Sequence, residues 1–168
     1  TAPWVSMYFE KLQLKTGKKV GDLFPNFNLF VYGGVNYEPY RTKLESLVGR
    51  HIPSVELYPA SEGFFAFQDH PDAEGMLLQL DSGIFYEFIP ADLFYDASPP
   101  RLGLAEVELG INYVIIISTN AGLWGYNIGD TVMFTSLSPF RLVVSGRIKH
   151  FISAFGEHVI CLLYTSDA

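Results

Sequence analysis

The spacing of apolar residues changes near Gln68, and this change constrains the fold more than any other feature of the chain. Before it, two segments with apolar residues three to four positions apart alternate with two short apolar runs. After it, short runs rich in Val, Ile, Phe and Tyr are separated by Gly, Pro, Asp or Asn. The first pattern is typical of an α/β layer with parallel strands, and the second of a β-meander or small barrel. We therefore expect an α/β fold in which a partial α/β subdomain (residues 1–68) is followed by a β-barrel-like subdomain (residues 69–145).

The first predicted helix runs from Trp4 to Lys15 and ends before Gly17, a residue type that commonly ends helices. The second begins at Pro39 and ends at Gly49. Between and after them, Phe27–Val35 and Ser54–Tyr58 read as short strands. Two strands are too few for a complete parallel sheet, so we expect this part to be incomplete. In the second part the predicted strands are GMLLQL, GIFYEFIP, NYVIIIST, DTVMFTS and FRLVVSG.

Composition and charge exclude several classes of protein. Of the 168 residues, 49% are hydrophobic and 17% are charged, which excludes a disordered chain. The net charge of −7 argues against a nucleic-acid backbone as partner. The longest apolar run, Tyr113–Thr119, has the length of a strand, so we expect no membrane span. The single cysteine, Cys161, allows no internal disulfide, so we expect the reducing cytoplasm, and the four histidines show no zinc-binding spacing.

Three short motifs could carry chemistry. They are YGGV at Tyr32–Val35, YPASEG at Tyr58–Gly63, and GYNIGD at Gly125–Asp130, which is followed by SGRIKHFISAFGE at Ser145–Glu157. Two glycines after a strand let a flat ligand approach the backbone closely, although a plain turn would look the same. A single Ser-Glu step or turn aspartate is more often structural than functional.

In this order, however, the motifs resemble those of the auxin-responsive acyl-acid amido synthetases, a branch of the acyl-adenylating enzymes. The resemblance runs from about Trp4 to Glu157, and GIFYEFIP at Gly83–Pro90 is typical of this branch. It implies an adenylate-forming fold in which residues 146–160 are a hinge segment. A small C-terminal domain would follow that hinge, and it is missing here.

The resemblance also implies a nucleotide site. Tyr58 would stack on adenine, with the backbone of Gly33 and Gly34 on the other face. Ser61 would bind the α-phosphate, and Glu62 would bind Mg²⁺, a cation that prefers oxygen ligands.

Further residues complete the implied site. Asp130 would accept hydrogen bonds from the ribose hydroxyls, with Arg147 and Tyr126 as further nucleotide contacts. Lys149 would be the pivot between the large and small domains, and it forms the implied catalytic set with Ser61 and Glu62. Aromatic residues would wall the acyl pocket, although core packing is an equal reading for them: Phe64, Phe65 and Phe85, with Ile84 and Tyr86 beside them.

The implied reaction uses ATP and Mg²⁺ to adenylate a carboxylic acid, and then transfers the acyl group to an amine such as an amino acid. The sequence departs from the family pattern at Ala60, where plant members have a serine, and at Asn127, where a cation is frequent. The phosphate loop and the small domain with its catalytic lysine are absent, so we expect the chain alone to be inactive. The last eight residues, Cys161–Ala168, resemble translated sequencing-adapter read-through, and we expect them to be non-native.

Two other classes of function share parts of this pattern. A non-catalytic relative that binds a nucleotide or acyl ligand would share the motifs without turnover. A hydrolase could pair Glu62 with Asp81, or Asp81 with Glu87, but nothing in their spacing requires it. A serine hydrolase is weaker still, because ASEG does not match the G-x-S-x-G motif.

Overall fold

The computed structural model describes residues 2–34 and 37–148. Its helices are α1 (Ala2–Thr16), α2 (Val20–Leu23) and α3 (Glu38–Val48). The two long helices confirm the sequence prediction, whereas the single turn α2 was not predicted because four residues are too few to show a helical period. Gly49 caps helix α3: its N–H donates to the Glu45 carbonyl at 2.7 Å, and its left-handed φ of 90° turns the chain out of the helix.

Eight strands form one sheet in the order β1-β2-β3-β4-β8-β7-β6-β5. Their bounds are β1 Phe30–Gly33, β2 Ser54–Ala60, β3 Gly63–Phe67, β4 Met76–Leu78, β5 Ile84–Pro90, β6 Asn112–Thr119, β7 Tyr126–Leu137 and β8 Phe140–Arg147. Only β1 and β2 run parallel, and every other pair is antiparallel. An α/β beginning followed by an antiparallel meander is therefore the observed architecture.

The first strand is shorter than predicted. The run Phe27–Val35 is apolar, but the Phe27 N–H donates to the Phe24 carbonyl at 3.0 Å and closes a turn. The Phe27 ring then packs edge-on against Phe9 of α1, with ring centroids 6.0 Å apart. Phe27 is thus apolar because it packs against helix α1, whereas Asn28 and Leu29 are exposed, and pairing with β2 begins only at Phe30.

The sheet curls until strands far apart in its order face each other. Phe65 of β3 lies edge-on to Tyr86 of β5, with centroids 6.4 Å apart, although four strands separate β3 from β5 in the sheet. A Cβ built on Gly63 would stand 2.9 Å from Ile84 Cδ1, so this contact is close. One large core fills the concave side, which gives the second part its barrel-like form. Helices α1 and α3 pack on the β1–β2 end over smaller clusters around Leu44 and Val48.

Candidate functional site

A tight hairpin presents the two polar residues of the YPASEG motif. Ala60 of β2 pairs with Gly63 of β3, which leaves Ser61 and Glu62 as the two residues of the turn. Ser61 is exposed and Glu62 is half-buried. The sequence thus places a hydroxyl and a carboxylate at the tip of a hairpin, where both can reach a ligand.

One extra residue on β3 explains why two neighbouring residues are both buried. The register shifts between Tyr58 and Pro59, so that Phe65 is the inserted residue beside the Tyr58–Ala66 pair. Phe65 and Ala66 therefore both face the core. The Tyr58 ring packs edge-on against Phe65 at 5.1 Å between centroids and is only 5% exposed.

Asp130 lies in a wide bulge of β7. Val114 pairs with Thr131 and Ile116 with Asn127, so three residues of β7 (128–130) stand opposite Ile115 alone. Asp130 is 8% exposed. Bulges frequently redirect a side chain towards a site, and here the redirected group is a carboxylate.

A second bulge turns Arg147 towards Asp130. Leu142 of β8 faces the core, and strict alternation would place residue 147 on the opposite face. The register with β7 shifts by one between Thr131 and Val132, which inserts one residue, Ser145, into β8. This insertion reverses the alternation, so Arg147 stands directly opposite Asp130.

Three predicted site residues meet at Asp130. The Tyr58 hydroxyl donates to Asp130 Oδ2 at 2.9 Å, and Arg147 Nε donates to Oδ1 at 2.6 Å. Burial, and next the negative charge of Asp130, raise the pKa of the Tyr58 hydroxyl far above its ordinary value. The hydrogen bond to Asp130 likewise raises the pKa of Arg147. Tyr58 therefore remains a donor and Arg147 a cation over the whole physiological range.

Glu62 lies beside this group. The Tyr126 hydroxyl donates to Glu62 Oε1 at 3.3 Å, and burial, followed by the charge of Glu62, raises the pKa of Tyr126. The charge of Glu62 also acts on both Tyr58 and Arg147, raising the pKa of each. Five predicted residues thus form one cluster: Tyr58, Glu62, Tyr126, Asp130 and Arg147.

The two glycines lie at the end of β1 beside the motif-bearing strand. Gly33 pairs with Leu57, and a Cβ at Gly33 would stand 2.5 Å from the Leu57 carbonyl oxygen, so only glycine fits there. Gly34 has φ of +78° and faces open space. Ligands commonly bind beyond the carboxyl ends of parallel strands. Gly34 lies just beyond the end of β1, and Tyr58 directly follows Leu57, the last residue of β2 that pairs with β1.

The structure does not bring the three predicted pocket phenylalanines together. Phe65 is fully buried in the core beside Tyr86, with Ile84 partly buried against it. Phe64 (43% exposed) and Phe85 (65% exposed) are on the solvent side. The stacking of adenine on Tyr58 stays a prediction, and its ring is covered in this structure. Lys149 and the remainder of the hinge segment lie outside the described residues.

The rival chemistries gain no support from the geometry. A nucleophile elbow needs a strand–turn–helix, whereas Ser61 is in a strand–turn–strand hairpin. Glu87 is paired with Arg101 at 3.2 Å, and Asp81 is in an exposed turn. Over residues 2–34 and 37–148 there is no cluster of three potential metal ligands among His, Cys, Asp and Glu, and no helix long and apolar enough to cross a membrane.

The sequence reading missed two features of this site. It did not anticipate the Tyr58–Asp130 hydrogen bond, because no spacing rule relates residues 72 positions apart. It also gave Asn127 no role, although an Asn two residues before a turn glycine is a known local signal for a side-chain-to-backbone hydrogen bond.

Known proteins resemble the chain in both sequence and fold. Residues 77–147 match the GH3 family central domain. Jasmonoyl–L-amino acid synthetase JAR4 of Nicotiana attenuata is 34% identical over 120 residues, which cover 67% of this chain and 20% of that protein. The probable indole-3-acetic acid-amido synthetase GH3.2 of Oryza sativa subsp. japonica is 34% identical over 88 residues, covering 47% of this chain and 14% of that protein. The chain therefore spans about a fifth or less of the length of these curated relatives.

A solved structure shows the same fold. That of GH3.15 acyl acid amido synthetase aligns with a TM-score of 0.62 at 18% identity, covering 84% of this chain and 26% of that chain. Together with the sequence matches, this likeness confirms the resemblance to amido synthetases and the adenylate-forming fold that the three motifs predicted.

Proposed function

We propose that the chain is part of an ATP-dependent acyl acid amido synthetase, because residues 77–147 match the GH3 family central domain. The observation that best supports this proposal is the cluster in which Tyr58 and Arg147 donate hydrogen bonds to Asp130 beside Glu62. These are the residues that the motifs assign to the nucleotide, and they lie far apart in sequence.

Asp130 retains the capacity to bind a ribose. A carboxylate offers about four lone-pair positions, and Tyr58 and Arg147 occupy two of them. The others can accept hydrogen bonds from two vicinal hydroxyls. Arg147 is half-exposed, so its guanidinium can contact the nucleotide while it neutralises Asp130.

The hairpin tip fits a hydrated Mg²⁺ ion. Mg²⁺ is commonly held by one or two carboxylates together with waters and phosphate oxygens, and Glu62 supplies one carboxylate at a half-exposed tip. Ser61 beside it offers a hydroxyl donor to the same phosphate. When bound, the ion would withdraw charge from the α-phosphate, while Ser61 and Glu62 orient that phosphate for attack.

The proposed reaction has two steps. A carboxylate oxygen of the acid attacks the α-phosphorus; the bond to the pyrophosphate oxygen breaks, and an acyl-adenylate forms. An amine nitrogen, such as that of an amino acid, then attacks the acyl carbon, loses a proton and displaces AMP. The names of the relatives make jasmonic acid and indole-3-acetic acid the first acids to try. We place the protein in the cytoplasm because, with or without Cys161, the chain has too few cysteines for an internal disulfide.

Acid-dependent ATP–pyrophosphate exchange tests this proposal. The protein should be produced from the complete reading frame of its gene and assayed with a panel of aryl and alkyl carboxylic acids. Exchange should require an acid and should fall at least about 100-fold in Glu62→Gln, a variant of the same shape without the charge. Asp92→Asn, at an exposed turn, is the matched control and should retain exchange.

The alternative function has a distinct outcome. A folded protein that binds ATP but supports no exchange with any acid would favour the non-catalytic relative. Exchange that persists in Glu62→Gln would remove the metal-binding role from the hairpin tip.

A further inference from the structure

The backbone that carries Asp130 is held by the side chain of its neighbour Asn127. The Gly129 N–H donates to Asn127 Oδ1 at 2.8 Å, within the segment of β7 that bulges away from β6. Gly129 has φ of +86°, a conformation that only glycine adopts without strain. The amide at the apex of the bulge is thus bound by a side chain rather than by the neighbouring strand.

The other polar group of Gly129 is bound as well. The Ile148 N–H donates to the Gly129 carbonyl at 2.8 Å, next to the residue that pairs with Asp130. Gly129 is therefore fixed from both sides, by Asn127 within β7 and by the backbone beyond β8. Asp130 follows directly and points its carboxylate at Tyr58 and Arg147.

We infer that Asn127 is a positioning residue for the nucleotide: by binding the Gly129 amide, it holds the Asp130 carboxylate where the ribose hydroxyls must meet it. This inference rests on the proposed function and deepens it. Asn127 is half-buried and its Oδ1 is engaged by the backbone, so it acts through Asp130. A cation is frequent at this position in the family, whereas here Asn127 accepts a hydrogen bond from the backbone of Gly129.

The expected effect is confined to nucleotide affinity. Asn127→Ala removes the acceptor and frees the bulge, which should raise the KM for ATP roughly fivefold, the loss expected for one net hydrogen bond. The kcat of exchange should stay within about twofold because no reacting atom is touched. Asn127→Asp and Asn127→Ser keep an oxygen acceptor and should recover most of the affinity. Asn112→Ala, at an exposed position of β6, should behave as the wild type.

A double variant with Asp130→Asn distinguishes a positioning role of Asn127 from a general loss of structure. In an Asp130→Asn background, Asn127→Ala should have no further effect on the KM for ATP, because the group it positions is gone. A KM equal to that of Asn112→Ala would overturn the inference, and so would an effect that persists in the Asp130→Asn background. If Asn127→Ala does not fold, Asn127→Ser carries the comparison, and it must fall between the wild type and Asp130→Asn.

A measurement without substrate keeps this inference distinct from the proposed function. Should the wild-type protein show no exchange and no ATP binding, the proposed function fails. The melting temperatures of Asn127→Ala, Asp130→Asn and the double variant then test whether Asn127 positions Asp130. Shifts that add would overturn it, and a double-variant shift close to that of Asp130→Asn alone would support it.

Discussion

A carboxylate as enclosed as Asp130 is stable only when its oxygens receive hydrogen bonds, because burial of an unpaired charge is costly. Tyr58 supplies one bond from within the core, and Arg147 supplies the other from the rim. Motifs could single out Glu62 and Asp130 from the sequence, because Ser-Glu and Gly-Asp steps are local. The partners of Asp130 could not be derived in the same way, since they come from strands paired by register rather than by sequence spacing.

Substitution of Tyr58 and of Tyr126 tests whether the buried carboxylate of Asp130 depends on its hydrogen-bond donors. Tyr58→Phe should lower the free energy of unfolding by about 1–2 kcal/mol, because it leaves a buried carboxylate oxygen without its donor. Tyr126→Phe removes a hydroxyl that also donates to a carboxylate, but through a longer bond at a less buried position, and should cost less than about 0.5 kcal/mol. Urea denaturation measures both values. Equal costs would contradict the view that burial sets the strength of the Tyr58–Asp130 bond.

At the scale of elements, the regular parts were predictable and the irregular parts were not. Helices α1 and α3 have apolar periodicity and end at glycines, and the longer strands have enough Val, Ile and Phe to be recognised. The bulges at Phe65, Asp130 and Ser145 have no such pattern, because a single inserted residue alters pairing without altering composition. The bulges at Asp130 and Ser145 orient residues of the site, and the one at Phe65 directs two neighbouring residues into the core, so the geometry of the site depended on the part of the fold that periodicity cannot show.

A one-residue shift of Arg147 tests its orientation in β8. Insertion of an alanine between Gly146 and Arg147 should place the alanine opposite Asp130 and turn Arg147 to the other face of the sheet. The free energy of unfolding should fall by about 2 kcal/mol or more, a cost typical of a lost buried ion pair. Arg147→Ala should destabilise the intact chain but should have no further effect in the insertion variant. Ser145→Ala is the matched control: it loses only an exposed hydrogen bond to Thr131 and keeps the register. An insertion no more harmful than Ser145→Ala would mean that the register of β8 does not orient Arg147.

At the scale of the whole molecule, buried tyrosines are distributed from one end of the sheet to the other. Burial raises the pKa of Tyr32 on β1 and of Tyr86 on β5 to about 12, and it raises the pKa of Tyr58 further. The sequence left the wall of an acyl pocket and core packing as equal readings for several aromatic residues. It could not predict that β3 would curl round to face β5, because that contact depends on the accumulated twist of the strands between them.

These tyrosines predict a loss of stability at alkaline pH. A pKa that is higher in the folded than in the unfolded state means that the folded state holds the proton more tightly. Its contribution is complete below pH 10 and is lost as the pH rises from 10 towards 12. Tyr58 and Tyr86, both almost inaccessible to solvent, should then each lower the free energy of unfolding by up to about 1.4 kcal/mol per pH unit, and the partly buried Tyr32 should contribute less. Urea denaturation between pH 8 and pH 11 measures this slope, which should be shallower in Tyr58→Phe than in the wild type; identical slopes would contradict it.

The place of β8 in the sheet has a consequence for synthesis on the ribosome. Strand β8 lies between β4 and β7, so it joins β1–β4 to β5–β7, although it is translated after all of them. A nascent chain that ends before residue 140 carries two half-sheets, each with an unsatisfied edge. Emergence of β8 pairs both edges and brings Arg147 to Asp130 in the same event. The cluster around Asp130 is therefore completed only when β8 leaves the exit tunnel, and until then the exposed strand edges make the chain a target for chaperones.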